Sequence, residues 1–265
     1  MENETRVPEA ALPLAAEEIK RAVRERYTQV AQRSASCCEA PAPEGEARVA
    51  QYGYELDLLG PEVPATVVES FAGCGNPLAI EALRPGEVVL DLGSGAGLDC
   101  FLAAHKVGPA GRVIGLDMTD AMLGKARENQ RRLGIANVLF CKGEMEAMPM
   151  AEASVDVILS NCVINLAPDK DRVFCEAFRV LRPGGRLMVA DLVTEGELPA
   201  ALRTLDAWTC CLGGAIPLEA YVAALRRAGF DPVEVVEATG WRPGVLSVKI
   251  RAIKPGAEGK GGKAA

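Results

Sequence analysis

The chain has 265 residues, 49% hydrophobic and 25% charged, with a formal charge of −7. That length suits one large α/β domain with short additions, and the acidic balance leaves no basic face to follow a phosphate backbone, which excludes nucleic acid as the expected partner. Met1-Glu2-Asn3-Glu4-Thr5 contains no apolar signal core and no later stretch is long enough to span a bilayer, so the expectation is a cytoplasmic protein that does not bind membranes.

Residues 1–13 are rich in Pro, Glu and Ala and read as a mobile lead-in. From 14 to 33, Ile19, Val23, Tyr27 and Val30 recur at helical spacing and predict an amphipathic helix. A loop with Cys37-Cys38 and Pro41-Ala42-Pro43 follows, and residues 77–83 read as a short helix stopped by Arg84-Pro85-Gly86. Strands and helices then alternate, as a parallel sheet requires. Val88 to Asp91 is a strand, Leu98 to Lys106 a helix, Val113 to Asp117 a strand, and Ala121 to Leu133 a helix. Val138 to Cys141 and Val155 to Ser160 are strands before the helix Lys170 to Leu181. A turn at Arg182-Pro183-Gly184-Gly185 precedes the strand Arg186 to Leu192, and a helix near Leu218 to Ala228 leads to two last strands, Val233–Val236 and Leu246–Ile253. The Gly/Lys/Ala-rich tail from Pro255 to Ala265 predicts disorder. The fold class is therefore α/β: a Rossmann-like, mostly parallel sheet with an antiparallel final strand, plus an N-terminal helical segment.

Between the first strand and its helix lies Asp91-Leu92-Gly93-Ser94-Gly95-Ala96-Gly97. Open α/β sheets bind ligands at the carboxyl ends of their strands, and glycines let backbone approach a ligand closely. The G-x-G-x-G spacing is one residue short of the dinucleotide pattern, and Asp91 would repel a pyrophosphate but suit a cationic amino acid. Asp117 ends the next strand, where a carboxylate accepts both hydroxyls of a ribose. Both acids in register favour S-adenosylmethionine over NAD. Glu144 and Met145 follow the strand end where such folds meet an adenine. Ser94, Gly97, Met118 and Asn161 complete the expected donor site.

Nine cysteines accompany one histidine, His105, with no C-x-x-C pair. Thiols in a reducing compartment stay free, and a zinc ribbon is poorly supported. A cysteine-only site drawn from distant segments stays open, with Cys162 placed just after a strand end. Cys100, Cys141 and Cys175 read as structural or incidental, and His105 as a surface or helix-end residue.

The motifs GCGNP (73–77), VLDLGSGAGLD (89–99), VIGLDMT (113–119), SNCVINLAPDK (160–170), LRPGGRL (181–187) and CLGGA (211–215) give a specific likeness. Over roughly residues 20–235 the chain resembles the arsenite S-adenosylmethionine methyltransferases. The resemblance implies that Cys74, Cys162 and Cys211 are the catalytic thiols and bind As(III), and that Asp91, Gly93, Gly95 and Asp117 hold the methyl donor. It selects Cys211 over its neighbour Cys210. It divides the chain into an N-terminal helix and thiol-bearing loop (1–70), a methyltransferase domain with the arsenic-binding elements (71–253) and a tail (254–265). The implied partners are arsenite or its thiol conjugates and a reducing thiol system of thioredoxin or glutathione type, acting on a monomer. Cys37 and Cys38 have two readings, arsenic delivery or redox cycling on one side and no role on the other. Arsenic(III) is soft and prefers thiolates, and its lone pair can attack a sulfonium methyl with no proton to remove, which matches the lack of a His or Glu base motif. Two other classes share parts of this pattern: a methyltransferase for a small organic acceptor, indifferent to loss of Cys162, and a non-catalytic thiol sensor, indifferent to the methyl donor.

Overall fold

A computed structural model of the protein describes residues 14–33, 45–61 and 63–256. Cys37, Cys38 and the tail 257–265 lie outside the described residues. Seven strands form one sheet in the order β3-β2-β1-β4-β5-β7-β6. Their spans are β1 (Val88–Leu92), β2 (Arg112–Asp117), β3 (Val138–Lys142), β4 (Val155–Asn161), β5 (Leu181–Thr194), β6 (Val233–Arg242) and β7 (Val245–Ile253). The first five pair in parallel, and β7 runs antiparallel between β5 and β6. The Rossmann-like sheet with an antiparallel final strand is as the strand and helix pattern implies.

Side chains that alternate along a strand feed two cores, because successive residues point to opposite faces. Val89, Val157 and Leu159 join one layer with α4 (Leu98–Val107) and α5 (Asp120–Leu133). Leu90, Ile158, Leu187 and Val189 join the other with α6 (Lys170–Val180) and α8 (Leu218–Arg227). The amphipathic helix read over 14–33 is α1 (Ala16–Arg33), with Ile19, Val23 and Val30 buried as its spacing requires. It packs against α5 and the short α7 (Leu205–Thr209).

Several boundaries differ from the sequence reading for local reasons. The expected helix over 77–83 is a single 3₁₀ turn, Pro77–Ala79, capped by the Asn76 side chain on the Leu78 N–H. The expected turn at Arg182–Gly185 is the start of β5: Leu181 pairs with Val155, the register then shifts, and Gly184 takes a left-handed φ of +79°. The strand expected over 233–236 continues as β6 to Arg242, because a hairpin turn at Pro243-Gly244 returns it to β7. Before the sheet lie α2 (Gly45–Ala50), a 3₁₀ turn at Leu56–Leu59 and α3 (Ala65–Glu69), none of which has enough length to show a period. Their apolar residues, including Val49, Val67 and Val68, close the core over α4 and α5.

Candidate functional site

The strand order places a topological switch at β1/β4, where the crossovers leave in opposite directions and a crevice opens at the carboxyl ends. There the glycine loop turns through left-handed backbone at Gly93, Gly95 and Gly97. Asp117 anchors it, accepting the Gly95 N–H at 3.0 Å on one oxygen and the Thr119 N–H at 2.8 Å on the other. A cleft open to solvent lies above. Nine of the ten residues expected at the donor site line it: Asp91, Gly93, Ser94, Gly95, Asp117, Met118, Glu144, Met145 and Asn161. Gly97 does not. A Cβ there would come within 2.6 Å of Phe101 and 3.1 Å of Phe140, so Gly97 serves close packing between the loop and the core beneath.

The cleft is strongly acidic at its floor. Asp91 and Asp99 are buried, Asp117 is half-buried, and all three face it. Burial raises all three above the ordinary carboxylate range, Asp99 to about 6. Asp91 is raised further by the neighbouring charges of Asp99 and Asp117, against the Cys100 thiol that donates to it at 3.1 Å. Buried carboxyls crowded this way favour a cationic ligand. The Ser94 hydroxyl is also buried without a hydrogen-bond partner. Apolar walls from Phe71, Leu116 and Met122 complete a surface that fits an amino acid with a positive ammonium joined to a nucleoside.

Asn161 connects this cleft to the first cysteine loop. Its Oδ1 accepts the Cys74 N–H at 3.2 Å, and its Nδ2 faces the Gly75 carbonyl at 2.9 Å, the Tyr54 hydroxyl at 2.8 Å and Asp99 at 3.3 Å. The Tyr54 hydroxyl in turn donates to Asp99 at 2.7 Å. One amide therefore fixes the donor cleft and the Cys74 backbone relative to each other.

Cys162 follows β4 in left-handed backbone, φ +58°, and its N–H donates to the Ala190 carbonyl at 2.7 Å. Cys74, Cys162 and Asp191 bring their ligand atoms within 4.8 Å of one another, all buried. Cys211, also left-handed at φ +65°, donates its thiol to the Cys162 carbonyl at 2.7 Å. It belongs to the same apolar cluster as Cys74 and Cys162 but not to that tight group of ligand atoms. The CLGGA run allows this approach, because a Cβ on Gly214 would collide with the Asn165 carbonyl. Burial pushes the Cys74 thiol up to about 11. For Cys162, hydrogen bonding to the Cys211 thiol acts downward, but Cys74 and burial together raise it well above the ordinary value. Cys210 is half-buried, Cys141 half-buried and Cys175 exposed. His105 is exposed in the last turn of α4.

Helix α1 roofs both regions. Lys20, Val23 and Tyr27 line the cleft, and the Tyr27 hydroxyl lies 3.8 Å from the Cys211 sulfur. Lys20 pairs with Glu144 at 2.7 Å and Glu146 at 3.3 Å, and Arg24 pairs with Glu144 at 3.2 Å. The Lys20 hydrogen bond lowers the Glu144 carboxyl, so Glu144 is an ionised anchor for α1 as well as a wall of the cleft. Sequence reasoning missed Lys20, Tyr54, Asp99 and Asp191. For the two acids a signal existed: Asp99 closes the glycine motif, and Asp191 is a lone acid inside the apolar strand run Leu187 to Val193. No local pattern marks Lys20 or Tyr54.

Comparison with known proteins adds three findings. The methyltransferase-domain family matches residues 83–239. The arsenite methyltransferase of Halobacterium salinarum is 44% identical over 232 residues, 83% of this chain and 59% of that one, and the human arsenite methyltransferase is 39% identical over 178 residues, 63% of this chain and 47% of that one. The chain thus spans about half the length of these curated relatives. The crystal structure of an arsenic(III) S-adenosylmethionine methyltransferase from Chlamydomonas reinhardtii superposes with a TM-score of 0.67 at 34% identity, covering 83% of this chain and 76% of that one.

Proposed function

The chain belongs to the arsenite methyltransferase family, and from that premise we propose that it transfers methyl groups from S-adenosylmethionine to trivalent arsenic held by Cys74, Cys162 and Cys211. The observation that carries the reading is Cys162, which lines the donor cleft while its thiol is gathered with Cys74 and its carbonyl receives Cys211. The bound donor supplies an electrophilic methyl on a sulfonium. Asp91 and Asp99 offer negative charge to its ammonium, Asp117 offers carboxylate oxygen to its ribose, and Glu144 and Met145 flank its base.

The raised thiols suit the substrate. Arsenous acid is neutral, and each thiol condenses with it by forming S–As as As–O breaks, the thiol proton leaving with hydroxide as water. No net charge is created in the buried cluster, so a thiol that resists ionisation is no obstacle. The pyramidal arsenic keeps its lone pair, and catalysis then rests on aligning that pair with the methyl. Asn161 performs this alignment by holding the Cys74 backbone against the cleft. The methyl arrives without its bonding electrons, so thiols must return two electrons to arsenic, and a thioredoxin- or glutathione-type reductant restores them. Cys37 and Cys38 are proposed to take part in that exchange or in arsenic delivery. We place the reaction in the cytoplasm, on a monomer with arsenite or its thiol conjugates as substrate. Among the described residues no helix is long and apolar enough to cross a membrane.

The test is incubation with arsenite, S-adenosylmethionine and a thiol reductant, with methylated arsenic as the readout. The expected result is methylated product from the native chain and background levels from Cys162→Ser, with donor binding retained by calorimetry. Full arsenite turnover by Cys162→Ser overturns the reading.

A further inference from the structure

Asp191 has no task in the reaction just described. It stands on β5 opposite Val248 of β7, is fully buried, and does not line the donor cleft. One oxygen accepts the Leu192 N–H at 2.9 Å, the other lies 3.4 Å from the Tyr221 hydroxyl, and the Asn165 backbone and the Lys170 charge also favour the carboxylate. Burial nevertheless outweighs them, so a carboxyl here is costly to keep. Its distinctive relation is to sulfur, since its ligand oxygen and the Cys74 and Cys162 thiols lie within 4.8 Å of one another.

We propose that Cys74, Cys162 and Asp191 form a two-sulfur, one-carboxylate site for a divalent thiophilic cation, Zn²⁺ or Cd²⁺, which occupies part of the arsenic seat and competes with arsenite. Thiolate and carboxylate are both ordinary zinc ligands, and metal–sulfur and metal–oxygen bonds of about 2.3 and 2.1 Å put tetrahedral ligand atoms roughly 3.4–3.8 Å apart. The group therefore closes on a cation by small side-chain rotations. The charges also balance. Two thiolates and a carboxylate carry three negative charges, the cation brings two positive ones, and buried Lys170, which interacts electrostatically with Asp191, brings the third. The two thiol protons, and the carboxyl proton where present, leave to solvent as the metal–ligand bonds form. Arsenic loading differs in its third ligand: it takes Cys211 and leaves Asp191 unbound. A bound divalent cation also offers no arsenic lone pair to the methyl. Metal binding stands on the donor geometry alone, whereas the competition rests on the arsenic reading above.

Cadmium is the probe. The full-length reduced chain is titrated with CdCl₂, followed by the thiolate-to-cadmium absorption band and by cadmium NMR, and the metal-loaded protein is alkylated and peptide-mapped. The expected result is one cadmium per chain in a mixed sulfur–oxygen environment, with Cys74 and Cys162 protected from alkylation. Asp191→Asn keeps the shape of the side chain and should weaken cadmium binding by about tenfold or more, at least the loss seen when an outer partner of a metal ligand is removed. Cadmium that leaves Cys74 and Cys162 open to alkylation, or an all-sulfur cadmium signal in the native chain, overturns the proposal even if Asp191→Asn does not fold. Arsenite added to the cadmium-loaded protein separates the two readings. Displacement of the metal supports both; a mixed-ligand cadmium site that arsenite never displaces at any excess leaves the metal site standing and removes the arsenic seat.

Discussion

Asp117 holds the glycine loop through the Gly95 N–H with one oxygen and the start of α5 through the Thr119 N–H with the other while facing the cleft, so under the proposed reading its loss removes a loop anchor and a donor contact together. Asp117→Ala is expected to weaken S-adenosylmethionine binding by about 1.5–3 kcal/mol, the range for hydrogen bonds to a charged group; calorimetry with unchanged affinity would remove Asp117 from the site. Asp99 gives a pH signature. Its folded value of about 6 lies above the ordinary carboxylate value of about 3.9, because burial outweighs the hydrogen bonds from Tyr54 and Asn161. The unfolded chain releases this proton first as pH rises, so stability present below pH ~4 is lost on the way to pH ~6. Asp99→Asn lacks that loss. The melting temperature of the variant relative to native protein should therefore be higher at pH 7 than at pH 4, and an equal offset at both values would contradict the assignment. At this scale the acids flanking the glycine loop and the three thiols could be read from motifs. Tyr54 could not, because its role arises from a contact across 45 residues of sequence, and Asp191 showed only as an acid in an apolar strand, its thiol neighbours lying on other segments.

Among the elements, α1 is the one held mainly by its own periodic face and three ion pairs to the β3–β4 connection. Its apolar spacing was legible, but its target was not, since an amphipathic pattern names a buried face without naming the surface that buries it. Replacing Lys20 and Arg24 together by Ala should speed hydrogen exchange across residues 16–33 and leave β1 and β4 unchanged. The expected loss is about 1 kcal/mol, the upper end for partly exposed pairs. Uniform acceleration across the sheet would mean that α1 is integral to global unfolding rather than a separately opening roof. The elements that sequence reasoning placed poorly share a cause. α2, α3 and α7 have six, five and five residues, too few to display a helical period, and β5 begins with a Pro-Gly-Gly run whose turn chemistry is absorbed as a register shift.

Across the whole molecule, Arg186 ties the segment before β1 to the antiparallel half of the sheet. It pairs with Glu87 at 2.7 Å and Glu81 at 3.3 Å, and Arg251 on β7 reaches Glu81 at 2.6 Å. Arg186 is 4% exposed, while Glu81 and Glu87 are half-buried and Glu81 keeps Arg251, so deleting Arg186 leaves the carboxylates only partly in reach of water. Arg186→Ala should cost about 1.5–3 kcal/mol of global stability, the range for hydrogen bonds to charged groups. Chemical denaturation would read this as a lower midpoint, and an unchanged midpoint would place the cluster in solvent. The α/β alternation made the parallel sheet legible from hydrophobic pattern alone, whereas this long-range tie depends on which loops the closed sheet brings together. The roof helix has a consequence in time as well as space. α1 precedes in the chain every surface it rests on, since α5, α7 and the turn at Ile164–Leu166 are built from later residues. During synthesis it emerges with nothing to dock against. The nascent chain must therefore carry an exposed Ile19–Val23 face until the segment bearing Cys211 has been made, and the sulfur cluster is sealed only as one of the last acts of folding.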